Sequence, residues 1–289
     1  MTLDDNHFRC DYRYFPEAKG WLKLHRVPSN WFEARLRCHL EGGNLASPSN
    51  IKLRKAMGFL IEEATGDMTC GVFTGIHAFF SRGDFQSIEG VPLRKIPHTW
   101  ADGEPNNLKD QESCIALLPD GNLADVNCHE PLPYICYKEK TNKMSVSGCG
   151  TTDKEYAYAE TGSCYKFHEL QRTWSRASMV CAAEGGHLVV INSDQEAQVV
   201  KDIFAKHPGE LAFVGVYDWN EHGEWLTIHG QSLAEAGYAK FAPGEPNNGT
   251  AAGEFCVGVY RSALYNDVSC ESKYAFICEK SPKSLLCEP

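Results

Sequence analysis

The sequence predicts two tandem domains, each combining helices with short strands and each held together by disulfide bonds. A chain of 289 residues is long enough for two domains of ordinary size with separate hydrophobic cores. An internal repeat divides the chain into two similar halves. Thirteen cysteines without a Cys-x-x-Cys pair indicate disulfides formed in an oxidising, extracellular compartment.

The internal repeat consists of ordered matches between the two halves. The last three cysteines of each half match at a constant offset of 142 residues: Cys114, Cys128 and Cys136 with Cys256, Cys270 and Cys278. The other matches follow the same order: Trp31 and Cys38 with Trp174 and Cys181, Glu-Gly-Gly at 41–43 with 184–186, the glycine-containing apolar segment 73–76 with 213–216, and Gly-Glu-Pro-Asn-Asn at 103–107 with 244–248. A period this long is typical of independent domains and not of a solenoid.

The repeat and the local patterns predict where domains and helices lie. The predicted boundaries are a first domain at 1–139, a polar linker at 140–147, a second domain at 148–280 and a tail at 281–289. Helices are predicted around 30–40 and 48–63, and around 173–184 and 193–206. Ser49 or Asn50 could cap the second helix of the first domain, and Ser193 or Asp194 that of the second domain. The remainder is predicted to form short strands and long loops rich in Gly, Pro and Asn.

Composition argues against several functional classes. The net charge of −10 disfavours partners such as nucleic acid and anionic membranes, which require clustered Lys and Arg. No apolar segment approaches the roughly 20 residues of a membrane span, so we expect no membrane insertion. The N-terminus is acidic and polar, so we expect that a signal peptide was removed. Because Gly-x-Ser-x-Gly, His-Glu-x-x-His and phosphate-loop motifs are absent and the eleven histidines lack ligand spacing, we do not expect an enzyme.

The repeated motifs, taken together, resemble the C-type lectin domain over nearly the whole of both halves. The resemblance implies an α+β fold in each half, with two helices, small antiparallel sheets and a long calcium-binding loop region. A chain built from two such domains resembles the immulectins and lipopolysaccharide-binding lectins of insect blood. Calcium is the implied cofactor.

The resemblance also implies how the cysteines pair. The implied bridges are Cys38–Cys136, Cys114–Cys128, Cys181–Cys278 and Cys256–Cys270, with Cys149–Cys164 as the additional N-terminal bridge of the long form of the domain. Trp21 stands where the first domain would carry the counterpart of Cys164. Cys10 and Cys70 are then left over and could bridge each other, while Cys287 is expected to be free or to pair between molecules.

In the second domain, the resemblance implies a complete calcium and sugar site. The five implied ligands are Glu245, Asn247, Glu254, Asn266 and Asp267, and the same five residues would bind the sugar. Calcium accepts six to eight oxygen ligands in flexible geometry, so it can bind protein and sugar hydroxyls together. The order Glu–Pro–Asn goes, in this family, with equatorial hydroxyls of the mannose type, and Pro246 is expected to follow a cis peptide. The Asn248-Gly-Thr sequon beside the site is expected to be unmodified.

In the first domain, the resemblance implies a weaker calcium site. Its ligands would be Glu104, Asn106, Glu112 and Asp125, while Ala124 stands where Asn266 stands in the second domain. Asn122 could substitute if its loop shifts. A second calcium site known from some relatives is not expected: Asp218 matches one of its positions, but His222, Asn248 and Phe255 occupy others.

These expectations define a secreted protein that binds mannose-type glycans of microbial surfaces, including the saccharide of lipopolysaccharide. In a hemolymph-like fluid it would agglutinate or opsonise microbes in innate immunity, with immune proteins as possible partners. The alternative is a protein-interaction module with the same fold and no physiological sugar ligand. Release of the bound glycan by a calcium chelator distinguishes the two.

Overall fold

The computed structural model describes residues 8–64, 71–141, 145–220, 223–251 and 253–286. The chain divides into two compact units, residues 1–144 and 145–289. Each unit has its own sheet, helices and hydrophobic core. None of the helices in the described ranges is both long and apolar enough to cross a membrane.

The first unit contains two helices and eight strands. The helices are α1 (Trp31–Leu40) and α2 (Ile51–Ala64), and the strands are β1 (Arg13–Phe15), β2 (Gly20–Ser29), β3 (Asn44–Leu45), β4 (Val72–His77), β5 (Gln86–Ser87), β6 (Glu112–Leu117), β7 (Leu123–Asn127) and β8 (Leu132–Glu139). Short 3-10 turns lie at Leu93–Lys95 and Leu108–Asp110. The strand order is β1-β2-β8-β4-β6-β7, with β3 on β8 and β5 on β4. All pairs are antiparallel except β4 with β8.

The second unit repeats this arrangement. Its strands are β9 (Ala157–Tyr158), β10 (Cys164–Arg172), β11 (His187–Leu188), β12 (Leu211–Asp218), β13 (Trp225–Thr227), β14 (Cys256–Tyr260), β15 (Tyr265–Val268) and β16 (Tyr274–Lys280). Its helices are α3 (Trp174–Ala183), α4 (Asp194–Phe204) and the one-turn α5 (Leu233–Ala236). The strand order is β15-β14-β12-β16-β10-β9, with β11 on β16 and β13 on β12. The fold is therefore a repeated α+β domain, as the sequence predicts.

The helix starts follow from local capping. Asn30 begins α1, and its side chain accepts a hydrogen bond from the backbone N–H of Glu33. Of the two candidates for α2, Asn50 is the cap, since its Oδ1 accepts from the N–H of Leu53 at 2.9 Å. Ser193 caps α4 by accepting from the N–H of Glu196. Each side chain satisfies an N–H that lacks an intrahelical partner.

The repeated tryptophan fixes the first helix of each domain against the central strand. The indole N–H of Trp31 donates to the carbonyl of Thr74 in β4 at 2.8 Å, and that of Trp174 donates to Val214 in β12 at 2.9 Å. The glycine that follows in β4 has a different role. A Cβ at Gly75 would lie 2.6 Å from the carbonyl oxygen of Leu45, so only glycine lets β3 approach this closely.

The glutamate of the first Glu-Gly-Gly motif is the centre of a buried polar cluster. The Glu41 carboxylate accepts hydrogen bonds from Tyr12 (2.8 Å), Lys23 (3.0 Å) and Arg37 (2.9 Å), and lies 3.1 Å from Nε2 of His25. Burial acts to raise the pKa of Glu41, but hydrogen bonding and charge from His25, with Lys23 and Arg37, hold it well below its usual value. The cluster joins the helix to the N-terminal strands.

The second domain repeats this cluster around Glu184. Its carboxylate accepts hydrogen bonds from Tyr156 (2.9 Å) and Lys166 (3.0 Å), and lies 3.0 Å from Nε2 of His168. Lys166 also binds Asp153 at 2.7 Å. Because both copies retain the network, the Glu-Gly-Gly motif serves the fold and not the candidate site.

The structure contains five disulfides among the described residues. They are Cys38–Cys136, Cys114–Cys128, Cys149–Cys164, Cys181–Cys278 and Cys256–Cys270. The two long bridges span 98 and 97 residues, and closing loops of this length is worth about 4–5 kcal/mol each in the chain-entropy model. Cys10 is also disulfide-bonded. Cys70 and Cys287, whose pairing the sequence leaves open, lie outside the described residues.

Candidate calcium and sugar site

The strand register places corresponding residues of the two candidate sites at the same positions. In the second domain, Asp267 on β15 pairs with Val257 on β14. In the first domain, Asp125 on β7 pairs with Ile115 on β6. Cys256–Cys270 closes the β14–β15 hairpin, and Cys114–Cys128 closes the β6–β7 hairpin. The hairpin is therefore the rigid part of each site.

Asp267 anchors the loop that carries the Glu-Pro-Asn motif. Its carboxylate accepts hydrogen bonds from the backbone N–H of Asn247 (3.0 and 3.2 Å) and of Asn248 (2.6 Å). The peptide bond between Glu245 and Pro246 is cis, as expected from the sequence. Asp267 is almost fully buried, so the loop backbone is fixed directly against the hairpin.

Glu254 closes the other side of the same loop. One of its carboxylate oxygens accepts from the N–H of Gly249 at 2.7 Å. Its own N–H donates to Oδ1 of Asn248 at 2.8 Å. The two ends of the loop are thereby tied together beside the hairpin.

Asn248 and its counterpart Asn107 are site residues whose role the sequence reasoning missed. Each accepts a hydrogen bond from the backbone of an expected ligand: Asn248 from Glu254, and Asn107 from Glu112 at 3.2 Å. Both have a positive φ, 49° and 45°, a conformation that asparagine tolerates better than most residues. The repeated second Asn of Gly-Glu-Pro-Asn-Asn was the signal that could have identified them.

Two oxygens of the second domain's expected ligands are buried and lack a hydrogen-bond donor among the described residues. They are Oε2 of Glu245 and Oδ1 of Asn266. A buried oxygen without a donor costs about 1–3 kcal/mol, and a cation with oxygen ligands would satisfy both. The full set of three carboxylates and two amide oxygens is of the kind that calcium prefers. The residues present therefore fit calcium.

The electrostatics of Glu245 agree with a cation site. Burial raises the pKa of Glu245, and contact with the carboxyl group and charge of Asp267 raises it further, as does the charge of Glu254. A shift in this direction arises when acidic groups are crowded together. A bound cation would relieve their mutual repulsion.

The first domain brings its three carboxylates closest together. Oxygens of Glu104, Glu112 and Asp125 lie within 4.8 Å of one another. Burial and the neighbouring Asp125 raise the pKa of Glu104, and burial raises that of Glu112. No such triplet forms from Glu245, Glu254 and Asp267, which all belong to the described residues. The first site therefore has a more compact acidic cluster than the second, even though it has one ligand fewer.

The neutral ligands of the first domain are arranged differently. The N–H of Asn106 donates to Asp125 at 3.0 Å, and its side-chain amide donates to Glu104 at 2.9 Å. Asn122 is the possible replacement for the missing amide, but its side chain bonds to Thr99 and Asp120 and not to an expected ligand. Its Oδ1 accepts from Thr99 at 2.5 Å, and its Nδ2 donates to Asp120 at 2.8 Å. Asn122 thus stabilises the β6–β7 turn, and both polar atoms of its side chain already have partners.

Asp218 lies beside the residue that follows Glu254, because its N–H donates to the carbonyl of Phe255 at 2.8 Å. One of its carboxylate oxygens accepts from the N–H of Gly223 at 2.7 Å, while the other is buried without a donor among the described residues. His222, which the sequence places at another position of the additional calcium site, lies outside the described residues.

The repeated hairpins, loops and disulfides define the class of protein. The family model for the Lectin C-type domain matches residues 27–138 and 170–280, which together make up more than half of the chain. The chain therefore belongs to the C-type lectin domain family and is a tandem member of it.

Individual relatives match parts or all of this tandem. The chain is 34% identical over 122 residues to the hemolymph lipopolysaccharide-binding protein of Periplaneta americana, a match covering 40% of this chain and 48% of the relative. It is 24% identical over 283 residues to human C-type mannose receptor 2, covering 94% of this chain and 18% of the receptor. The chain thus spans about half or less of the length of these curated relatives.

Among solved structures, the carbohydrate-recognition domain of the mouse scavenger receptor C-type lectin is similar to one domain of this chain. The identity is 28% and the TM-score is 0.40, with 45% of this chain and 97% of that chain covered.

Proposed function

We propose that this chain is a calcium-dependent lectin whose second domain binds mannose-type sugars. The observation that carries the proposal is the pair of buried, donor-free oxygens, Glu245 Oε2 and Asn266 Oδ1. Both belong to residues that the family resemblance assigns to the metal. Calcium, when bound, would supply a Lewis-acidic centre with open positions for two neighbouring sugar hydroxyls.

The protein side chains would complete the hydrogen bonds of each hydroxyl. A hydroxyl donates one proton and accepts through its lone pairs. Glu245 would accept from one hydroxyl while the amide of Asn247 donates to it, and Glu254 with Asn266 would serve the other in the same way. Asp267 would hold the loop in place, because its carboxylate already binds the backbone of Asn247 and Asn248.

The proposed sugar preference rests on the order of acceptor and donor in Glu245-Pro246-Asn247. In C-type lectin domains this order goes with equatorial 3- and 4-hydroxyls, whereas Gln-Pro-Asp goes with galactose. A single shallow site of this kind is expected to be weak, with a Kd of about 1 mM. Tight binding would then require repeated sugars and two sites on one chain.

The proposed setting is extracellular recognition of microbial surface glycans. Repetitive envelopes provide the multivalency that weak sites need, and the structural disulfides suit an oxidising compartment. The name of the Periplaneta americana relative, a hemolymph lipopolysaccharide-binding protein, supports binding to a microbial surface glycan in an extracellular fluid. The proposed role is agglutination or opsonisation of microbes in innate immunity. We propose no catalytic role. The clusters around Glu41 and Glu184 serve the fold, the carboxylates of Glu104, Glu112 and Asp125 suit a cation, and the buried cysteines form disulfides.

The test of this function is binding of the full chain to immobilised mannan, with calcium and then with EDTA. Binding should require calcium and should be inhibited by mannose more strongly than by galactose. The double variant Glu245→Gln with Asn247→Asp keeps the number of carboxylates and reverses the order of acceptor and donor, so its preference should move toward galactose. The matched control is Glu104→Gln with Asn106→Asp in the first domain, which should leave the mannose preference in place.

Two results would oppose the proposal. Mannan binding that persists in EDTA would favour a protein-interaction module or a different surface. An unchanged sugar preference in the Glu245 and Asn247 variant would show that the second site does not select the sugar.

A further inference from the structure

The first domain has a groove that opens beside its acidic cluster. The groove has a volume of about 490 Å³, a size typical of small-molecule sites. One wall contains Glu112, Asp125 and Asn107 from the candidate calcium site. The segment 82–100 also lines the groove and contributes Arg94, His98 and Trp100.

The segment 82–100 contributes an exposed cation and aromatic rings to the groove. The guanidinium of Arg82 is occupied by Asp110, at 2.5 Å. Arg94 is exposed and makes no ion pair with the described part of the chain. Trp100 is half-buried: it packs against the hydrophobic core of the first domain and also lines the groove.

His98 is oriented by its own backbone. Its Nδ1 lies 2.7 Å from the carbonyl oxygen of Ile96 and so donates to it. The other ring nitrogen is then the one left for a ligand. The imidazole and the indole of Trp100 are nearly perpendicular, with ring centroids 5.6 Å apart, so the two rings contact each other beside the groove.

The second domain lacks the corresponding cation. Pro92 pairs with Gln86 and Ser232 pairs with Leu226 in equivalent single-residue strand bridges, so Pro92 and Ser232 are corresponding positions of the two domains. Two residues after each, Arg94 of the first domain corresponds to Ala234 of the second. The first domain therefore carries a charge that the second domain lacks at this position, while it lacks the amide that Asn266 provides in the second domain. The two differences alter what the first site can recognise.

We infer that the first domain binds a saccharide carrying a phosphate or carboxylate group, with the sugar hydroxyls at the acidic cluster and the anionic group at Arg94. The inference rests on the proposed function, because a calcium ion held by Glu104, Glu112 and Asp125 would bind the sugar hydroxyls. Trp100, which lines the same groove, would contact the sugar ring. The contact of Arg94 with the anionic group compensates for the hydrogen bond to a sugar hydroxyl that Ala124 cannot make, since hydrogen bonds to charged groups are stronger than neutral ones.

The test uses the full chain carrying Glu254→Gln, which weakens the second site and leaves the first unchanged. Titrations in calcium compare mannose, mannose 6-phosphate and glucuronic acid. One or both anionic sugars should bind about tenfold more tightly than mannose. The comparison of mannose 6-phosphate with glucuronic acid shows whether the site binds phosphate, carboxylate or both. Adding Arg94→Ala should remove this preference, and Asp84→Asn, which takes a negative charge off the same segment, should strengthen it.

Lys95→Ala is the matched control, because Lys95 is the exposed neighbour of Arg94 but does not line the groove. It should leave the anion preference unchanged. Equal affinity for all three sugars would overturn the inference, and so would an anion preference that survives Arg94→Ala, since calcium alone would then bind the anion.

A separate measurement distinguishes failure of the inference about the first domain from failure of the proposed function. The chain with an intact second site and Arg94→Ala should still bind mannan in calcium. If it does while no anion preference exists, only the inference about the first domain is wrong. If neither the wild-type chain nor this variant binds mannan in calcium, the proposed function itself is wrong.

Discussion

Ala124 occupies in the first domain the strand position that Asn266 occupies in the second. Ala124 pairs with Ala116, and Asn266 pairs with Gly258. Each lies directly before the aspartate that holds its loop. Alanine has neither an oxygen for a cation nor an amide donor for a hydroxyl, so this side chain is one difference between the two sites, and its effect can be measured in both directions.

Asn266→Ala should weaken mannose binding by the second domain about 5- to 150-fold, because a sugar hydroxyl loses its donor and calcium loses a ligand. Ala124→Asn should in turn increase mannose binding by the first domain. Calorimetric titration of the full chain measures both, with Asn127→Ala as a control at a nearby half-buried amide of β7 that is not an expected ligand. Unchanged affinity in Asn266→Ala would show that this residue does not contact the ligand.

Glu245→Gln should have opposite effects with and without calcium. Without calcium, the variant should be as stable as the wild type or slightly more stable, because one of three crowded acidic groups is neutral. With calcium, its affinity for the ion should fall by about tenfold or more, equivalent to about 1.4 kcal/mol or more. Thermal unfolding at several calcium concentrations measures both effects. A variant that gains the same stabilisation from calcium as the wild type would exclude Glu245 as a ligand.

The sequence predicted the elements that depend on local patterns. Helices expected at 30–40 and 48–63 lie at Trp31–Leu40 and Ile51–Ala64, because periodic apolar residues and capping side chains act within one or two turns. Capping alone left two candidates for α2, and only the hydrogen bond from Leu53 selects Asn50.

Features that depend on long-range packing could not be predicted. The groove of the first domain joins residues 82–100 to residues 105–125, and no local pattern indicates that these segments face each other. The burial of Glu41 is similar, because its partners come from three separate segments. The sequence ranked the second site above the first by counting ligands, but the compact triplet of carboxylates in the first domain arises from loop geometry.

Glu184→Gln should destabilise the second domain at neutral pH by about 3 kcal/mol, because Lys166 and His168 lose their shared buried partner. Burial acts to raise the pKa of Glu184, but His168 and Lys166 lower it overall. A lowered folded pKa gives stability that is present above about pH 4.3, the unfolded value, and is lost as the pH falls. Urea unfolding from pH 7 to pH 3 should therefore show the variant and the wild type converging at acid pH. The control Glu160→Gln, at an exposed site, should have the same free energy of unfolding as the wild type. If the difference between Glu184→Gln and the wild type stayed constant with pH, ionised Glu184 would not be the source of the stability.

Glu196→Gln should show the reverse pH dependence. Glu196 is almost fully buried and accepts hydrogen bonds from the hydroxyl of Tyr165 (2.5 Å) and the N–H of Asn192 (2.9 Å). Burial, and then the charge of Glu279, raise the pKa of Glu196 to about 6. Since the unfolded value is about 4.3, the wild type loses stability as the pH rises through about 6.

A glutamine at 196 cannot ionise, and its amide can still bond to both neighbours. The variant should therefore be more stable than the wild type at pH 7, on the order of 1–2 kcal/mol, and this advantage should vanish below about pH 4.3. Urea unfolding across this range measures the difference, with the exposed Glu210→Gln as control. A variant less stable than the wild type at pH 7 would contradict this prediction. The hydrogen bonds that the ionised Glu196 carboxylate accepts would then outweigh its repulsion from Glu279.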